Sequence, residues 1–164
     1  MTSKRKDIIN ILKEKSPLAG QLADYEIIEL AYIMPLRSYD ENTVIVKEGE
    51  PATSMMFIIS GEVNIHHNKH LVAKLTPGNI FGEAMFSDQG IRMADVVAVE
   101  PTEVLVFDLT MYELLLQQNA KVALKCKFIF EQLYKQNVTA NESFFTIDHR
   151  KYLALVAHNE MKKT

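Results

Sequence analysis

The sequence predicts a mainly-β domain with helical flanks: an α+β chain in which one small sandwich or barrel sits between N-terminal and C-terminal helices. Three observations predict it. Short runs rich in β-branched and aromatic residues recur at roughly 8–12-residue spacing through the middle of the chain, separated by turn residues. Before and after that zone, apolar residues recur at the three- and four-residue spacing of a helix face. All glycines but Gly20 lie in the middle zone, where turns and close backbone approaches use them.

Residues 1–36 read as an N-terminal helical segment. Ile8, Ile9 and Leu12 mark one helix face, and Ile27, Ile28, Leu30, Ala31, Ile33 and Met34 mark a second. Ser16 and Pro17 break the first segment, Asp24 is the expected N-cap of the second, and Pro35 ends it.

Residues 37–110 form the β zone. Its runs are Val44–Val46, Met55–Ile59, Val63–His66, Leu71–Leu75, Ala94–Val99 and Val104–Phe107. Turn chemistry separates them at Glu48–Pro51, Ser60–Gly61, Asn68–Lys69, Thr76–Asn79, Asp88–Gly90 and Glu100–Pro101. The helical pattern returns over 111–145. Tyr112, Leu115 and Leu116 belong to a first segment ending near Asn119. A longer one carries Val122, Cys126, Ile129, Leu133, Gln136 and Ala140 at alternating spacings of four and three. That stripe is either a dimer seam or the buried face of a helix packed on the barrel, and Gln136 weakens the seam. Tyr152, Leu153, Leu155 and Val156 predict one more short helix in the tail, 146–164.

Composition narrows the function classes. Of 164 residues, 48% are hydrophobic and 24% charged, so the chain can bury a core. A net charge of −3 argues against coating nucleic acid by bulk charge. The single cysteine, Cys126, excludes an internal disulfide framework and a four-thiolate zinc site, and reads as a buried helix residue rather than a reactive thiol. Asp7, Asn10 and Lys13 interrupt any apolar run that a signal peptide would need, and no stretch approaches the ~18 apolar residues of a membrane span. A cytoplasmic protein with no membrane contact is expected. No Ser-His-Asp order, paired-carboxylate motif or triphosphate loop is present, so no enzymatic activity is expected.

The chemically informative stretch runs from Thr76 to Val96. Gly82 directly precedes Glu83 between strands and opens a short helical turn through Phe86; the first amides of such a turn lack helical partners and favour anions. Nine residues after Glu83, Arg92 stands isolated among Gly90, Ile91, Met93 and Ala94. It is either a surface charge or the counter-ion of something anionic, and a net-negative chain that binds phosphate must concentrate positive charge locally. Glu83 would repel that phosphate unless it accepts a hydrogen bond from a sugar hydroxyl while pairing with Arg92. The alternative is a surface turn with a capping glutamate and a solvated arginine.

These residues resemble the cyclic nucleotide-binding domain family, which includes catabolite activator proteins and regulatory subunits of cyclic-AMP-dependent protein kinase. The resemblance rests on a phosphate-binding cassette over 81–94: Phe81, Gly82, Glu83, Ala84, Met85 and Phe86, a small turn, then Arg92, Met93 and Ala94. The frame upstream matches as well, at Val46–Pro51, Met56–Val63 and Leu75–Gly78, and the likeness extends over roughly residues 17–145. It implies a β-roll of jelly-roll type with N-terminal helices and a long C-terminal helix. It implies that Glu83 holds the ribose 2′-hydroxyl and Arg92 the cyclic phosphate, with amides at Gly82, Ala84 and Met93 completing the cradle and Phe81 among the ligand-binding residues. Ile59, Val72, Ala73 and Leu75 match positions lining the sugar and base pocket, and Asn137 or Thr139 is the expected polar contact from the closing helix. Two departures stand out: Met93 where the family carries a small residue, and Asp95 where many relatives are neutral. No threonine follows Arg92, which favours cyclic AMP over cyclic GMP as ligand. A chain that keeps the fold as a ligand-independent interaction module is the alternative.

His66, His67 and His70 flank the expected hairpin tip at Asn68 and Lys69. A metal-dependent jelly-roll enzyme would turn several histidines inward, but adjacent His66 and His67 face opposite sides of a strand, so exposed histidines without metal are expected. Transcription factors of the resembled family carry a helix-turn-helix domain of about 70 residues, and only 19 residues (164 − 145) follow the long helix here. No direct DNA binding is therefore expected; the output is a homodimer through the C-terminal helix or a partner protein.

Overall fold

The computed structural model describes the backbone of residues 2–88 and 90–141, and side chains within them as far as Asn137. The expected tail helix over 146–164 lies outside the described residues.

Helix α1 spans Ser3–Lys15 and starts where Thr2 Oγ1 accepts the Arg5 N–H at 3.1 Å. Its buried face is Ile8, Ile9 and Leu12, and the Ser16 hydroxyl closes its last turn by donating to the Leu12 carbonyl at 2.6 Å. Helix α2 spans Asp24–Ile33. Asp24 is its first residue rather than its cap: Ala23 holds the cap position, and its N–H donates to Glu26 Oε1 at 2.9 Å. A glutamate three residues on reaches back, so the helix needs no side chain at the cap itself.

Among the described residues eight strands follow: β1 Leu36–Tyr39, β2 Val44–Val46, β3 Ser54–Ser60, β4 Val63–His67, β5 His70–Leu75, β6 Ile80–Phe81, β7 Asp95–Ala98 and β8 Thr102–Asp108. They form two four-stranded antiparallel sheets, ordered β1-β8-β3-β6 and β2-β7-β4-β5. A 3-10 turn, Glu83–Phe86, sits between β6 and β7, and helices α3 (Leu109–Gln118) and α4 (Ala120–Asn141) close the described chain.

The register explains why β3 reads as an uninterrupted apolar run. Phe57 pairs with Leu105 and Met56 with Val106, and both faces of this strand pair are covered. Met55, Phe57, Ile59, Leu105 and Phe107 pack against Leu12, Leu30, Leu115 and Phe130 of the helices. Met56, Ile58, Val104 and Val106 point the other way and meet Val63 and Val96 of the second sheet.

Among the described side chains, the apolar residues of the α4 stripe pack within the chain. Val122, Cys126 and Ile129 are buried in the helix–sheet core and Leu133 packs against it, whereas Gln136 is exposed; Ala140 lies beyond the described side chains. From Val122 to Leu133 the stripe is a packing face. Burial pushes the Cys126 thiol up to about 12, which suits a residue that packs and does not react. Phe130 anchors α4 near the cassette, stacking on Phe86 of the 3-10 turn at 5.9 Å between centroids and meeting Phe107 edge-on at 5.8 Å. Among the described residues, no helix is long and apolar enough to cross a membrane.

Candidate functional site

The 3-10 turn can start where it does because Gly82 adopts φ +89°, a left-handed conformation that side chains rarely tolerate. A Cβ there would meet Arg92 Nη1 at 2.6 Å and the Ser54 carbonyl at 2.7 Å. The glycine is thus required twice, by its backbone and by the guanidinium pressed against it.

Behind this turn lies a cavity of about 270 Å³. Strand β5 contributes Val72, Ala73 and Leu75 to its wall, and the β6–turn corner contributes Phe81, Gly82, Glu83 and Ala84. Arg92 and Met93 enter from the segment before β7, and Asn137 enters from α4. Those ten expected residues converge on one space.

Two others do not contribute to it. Ile59 is buried under α1 in the helix–sheet core, since it shares the face of β3 with Met55 and Phe57; its parity along the strand turns it away from the cavity. Thr139 lies in α4, and its side chain is outside those described.

The cation of this wall is sunk in the protein. Arg92 is only 6% exposed; Nη2 donates to Ser54 Oγ at 3.0 Å and Nη1 to the Gly82 carbonyl at 3.4 Å. Burial pulls the guanidinium below its ordinary value, while the charges of Glu83 and Glu50 pull it back up. Glu83 and Arg92 were expected to pair; the structure keeps them close enough to interact electrostatically but gives each a different partner. Asn137 Nδ2 donates to Glu83 Oε1 at 2.6 Å, and Glu83 Oε2 is buried without a hydrogen-bond partner. Burial drives the Glu83 carboxyl above the usual carboxylate range, against the lowering effects of Asn137, its own backbone N–H and Arg92.

Both departures acquire a structural account. The Asp95 carboxylate accepts the Glu48 backbone N–H at 2.7 Å and so serves the neighbouring turn. Met93 places its sulfur 3.5 Å from the Tyr134 hydroxyl of α4. Tyr134 and Ser54 escaped the sequence reading. Tyr134 stands three residues before Asn137 and therefore on the same helix face, a signal that was available; Ser54 reaches Arg92 only through the pairing of distant strands. His67, expected at an exposed tip, is 3% exposed, because a register shift between Ile65 and His66 turns it inward. Among the described residues no group of histidine, cysteine and carboxylate side chains is arranged to hold a metal ion.

The cavity can therefore take one anionic group against Arg92 and one hydrogen-bond donor against Glu83, with an apolar wall on β5. The chain is similar to known proteins. The chain is 34% identical over 96 residues to the cyclic AMP receptor protein of Thermus thermophilus, covering 55% of this chain and 44% of that one. It is 26% identical over 113 residues to a cGMP-dependent protein kinase of Caenorhabditis elegans, covering 69% of this chain and 14% of the kinase. The chain thus spans less than half the length of either relative. Among solved structures, a cyclic nucleotide-binding domain from Methylobacillus flagellatus superposes with a TM-score of 0.71 at 25% identity, covering 86% of this chain and 82% of that one. The model of the cyclic nucleotide-binding domain matches residues 36–119, and the chain belongs to that family.

Proposed function

We propose that this chain is a sensor that binds cyclic AMP in preference to cyclic GMP and passes the binding event to helix α4. The observation that carries the reading is a buried arginine and a carboxylate with one buried, unsatisfied oxygen lining the same cavity. Arg92 would take the cyclic phosphate, helped by amides of Gly82, Ala84 and Met93. Glu83 Oε2 would accept the ribose 2′-hydroxyl, supplying the donor that it lacks. Val72, Ala73 and Leu75 would flank the sugar and base. Met93 supports the cyclic AMP preference, since no hydroxyl follows Arg92 to recognise guanine.

Asn137 and Tyr134 bridge α4 to the cassette, so a ligand between them would shift the population of helix positions. The output would be a second copy of this chain or a partner protein. Leu124 and Phe128 of α4 are both exposed and offer an apolar surface for it, in place of the stripe used in the core.

A second reading, a ligand-independent interaction module, is favoured by one observation: Arg92 and Glu83 Oε1 already have internal partners. Calorimetry with cyclic AMP and cyclic GMP on protein refolded free of ligand separates the two. The sensor reading expects heat with cyclic AMP, weaker binding of cyclic GMP, and loss of about tenfold to a hundredfold in affinity for Arg92→Ala. Absence of heat with both nucleotides would leave the module reading standing.

A further inference from the structure

The side chain of His67 reaches from β4 to the segment that carries Arg92. Its Nδ1 lies 3.0 Å from Glu48 Oε1 and 3.1 Å from the Met93 carbonyl oxygen. Both neighbours are acceptors, so the ring proton belongs on Nδ1. Asn68 Nδ2, 3.4 Å from Nε2, is placed to donate to the other ring nitrogen.

The same corner is laced by backbone bonds. Gly49 N–H donates to the Arg92 carbonyl at 2.9 Å, Arg92 N–H to the Glu50 carbonyl at 2.8 Å, and Glu48 N–H to Asp95 Oδ1 at 2.7 Å. Three chain segments far apart in sequence therefore meet at the peptide that follows the phosphate arginine.

We propose that His67 is a positioning residue of the anion site: by holding the Met93 carbonyl, it aims the N–H of the same peptide, that of Ala94, into the cavity. A trans peptide points its C=O and N–H in opposite directions, so fixing one fixes the other. Ala94 lines the cavity with Arg92, and the carbonyl of the same peptide is held by His67. His67 thus pre-orders a neutral donor next to the buried cation without touching the ligand. The inference rests on the cyclic-nucleotide reading of the cavity.

The test compares His67→Phe, which fills the space and lacks the N–H, with His67→Asn, whose amide can put a donor near the position of Nδ1. Cyclic AMP affinity is measured by calorimetry, adenosine (which lacks the phosphate) by NMR titration, and amide exchange on the ligand-free proteins. The expected result is an approximately tenfold loss for cyclic AMP but not adenosine in His67→Phe, largely restored in His67→Asn. Exchange at Glu48, Gly49 and Arg92 should quicken in His67→Phe alone, with the β3–β8 amides unaffected. Equal losses for both ligands, or no rescue by asparagine, would overturn the proposal. If His67→Phe does not fold, His67→Asn still decides: near-native cyclic AMP affinity supports the proposal, and an affinity tenfold or more below native overturns it. If the native chain binds no cyclic nucleotide, the functional reading fails, and the exchange pattern alone decides whether His67 holds this corner.

Discussion

Asn137 of α4 donates a 2.6 Å hydrogen bond to Oε1 of Glu83, fastening the C-terminal helix to the 3-10 turn across the cavity. The contact uses one oxygen of a carboxylate whose other oxygen is buried without a partner. Removing the donor takes a hydrogen bond from a carboxyl whose other oxygen is already buried without a partner, a cost of about 1–3 kcal/mol that opening of the helix end relieves. Asn137→Ala is expected to quicken amide exchange over residues 130–137 by about tenfold in the ligand-free protein, leaving the β3–β8 ladder protected. Unchanged exchange in α4 would show that Phe130 and its aromatic neighbours hold the helix alone.

The raised Glu83 carboxyl gives ligand binding a pH dependence of defined sign. Burial, the largest cause, makes the ligand-free site hold its proton above the usual carboxylate range. A ribose hydroxyl donating to Oε2 would favour the ionised form and lower that value, so binding releases a proton. Affinity for cyclic AMP should therefore rise as pH climbs through the ligand-free value and level off above it. Calorimetry in buffers of different ionisation enthalpy reads the proton directly, and Glu83→Gln should abolish both the release and the slope. A native affinity that falls over the same range would exclude the hydroxyl–carboxylate contact.

Gly82→Ala tests how tightly the turn and the arginine are fitted. The new methyl meets Arg92 Nη1 at 2.6 Å and Ser54 O at 2.7 Å, on a backbone at φ +89°. Left-handed strain alone costs about 1–3 kcal/mol, and the guanidinium must also leave its bond to the Gly82 carbonyl. Chemical denaturation should show a loss of at least that size, with cyclic AMP affinity falling further than the stability change alone explains. Alanine for Ser54 is a gentler probe of the same cation: Ser54→Ala removes the 3.0 Å acceptor and should weaken binding while sparing the turn.

The sequence made the cassette legible because its signals are local. Gly82, Glu83 and Arg92 sit within one short stretch, and glycine before an acid at a strand end has a backbone reason. The two-faced burial of β3 was also readable, since seven residues from Ser54 to Ser60 contain an unbroken apolar run. What stayed hidden depends on register. Ile59 and Met56 are equally apolar, and only the pairing with β8 shows which faces the helices. His67 turns inward through an irregularity between Ile65 and His66 that alternation does not foresee. The α4 stripe has the spacing of a seam, and only the structure shows that Val122, Cys126 and Ile129 of it pack into the chain's own core.

One polar link between helices, distant from the cavity, sets an acid limit on the fold. Glu26 is 1% exposed, accepts the Ala23 N–H at 2.9 Å, and receives Lys125 Nζ at 3.1 Å and 3.3 Å on its two oxygens, tying α2 to α4. The Ala23 bond first, and Lys125 after it, hold the carboxyl below its ordinary value despite burial. A depressed carboxyl contributes stability that is present above the unfolded-state pKa and lost as pH falls through the folded one. The Lys125 side chain is 38% exposed, so its Coulombic share is small and the buried hydrogen bonds dominate. Glu26→Gln keeps a carbonyl for Ala23 but loses the charge, and should lower stability at neutral pH by about 1–2 kcal/mol. Below the carboxylate range the native protein is protonated too, so the difference between the two should vanish. Denaturant titrations at both pH values measure it: a gap that persists in acid would assign the effect to packing and not to the charge of Glu26.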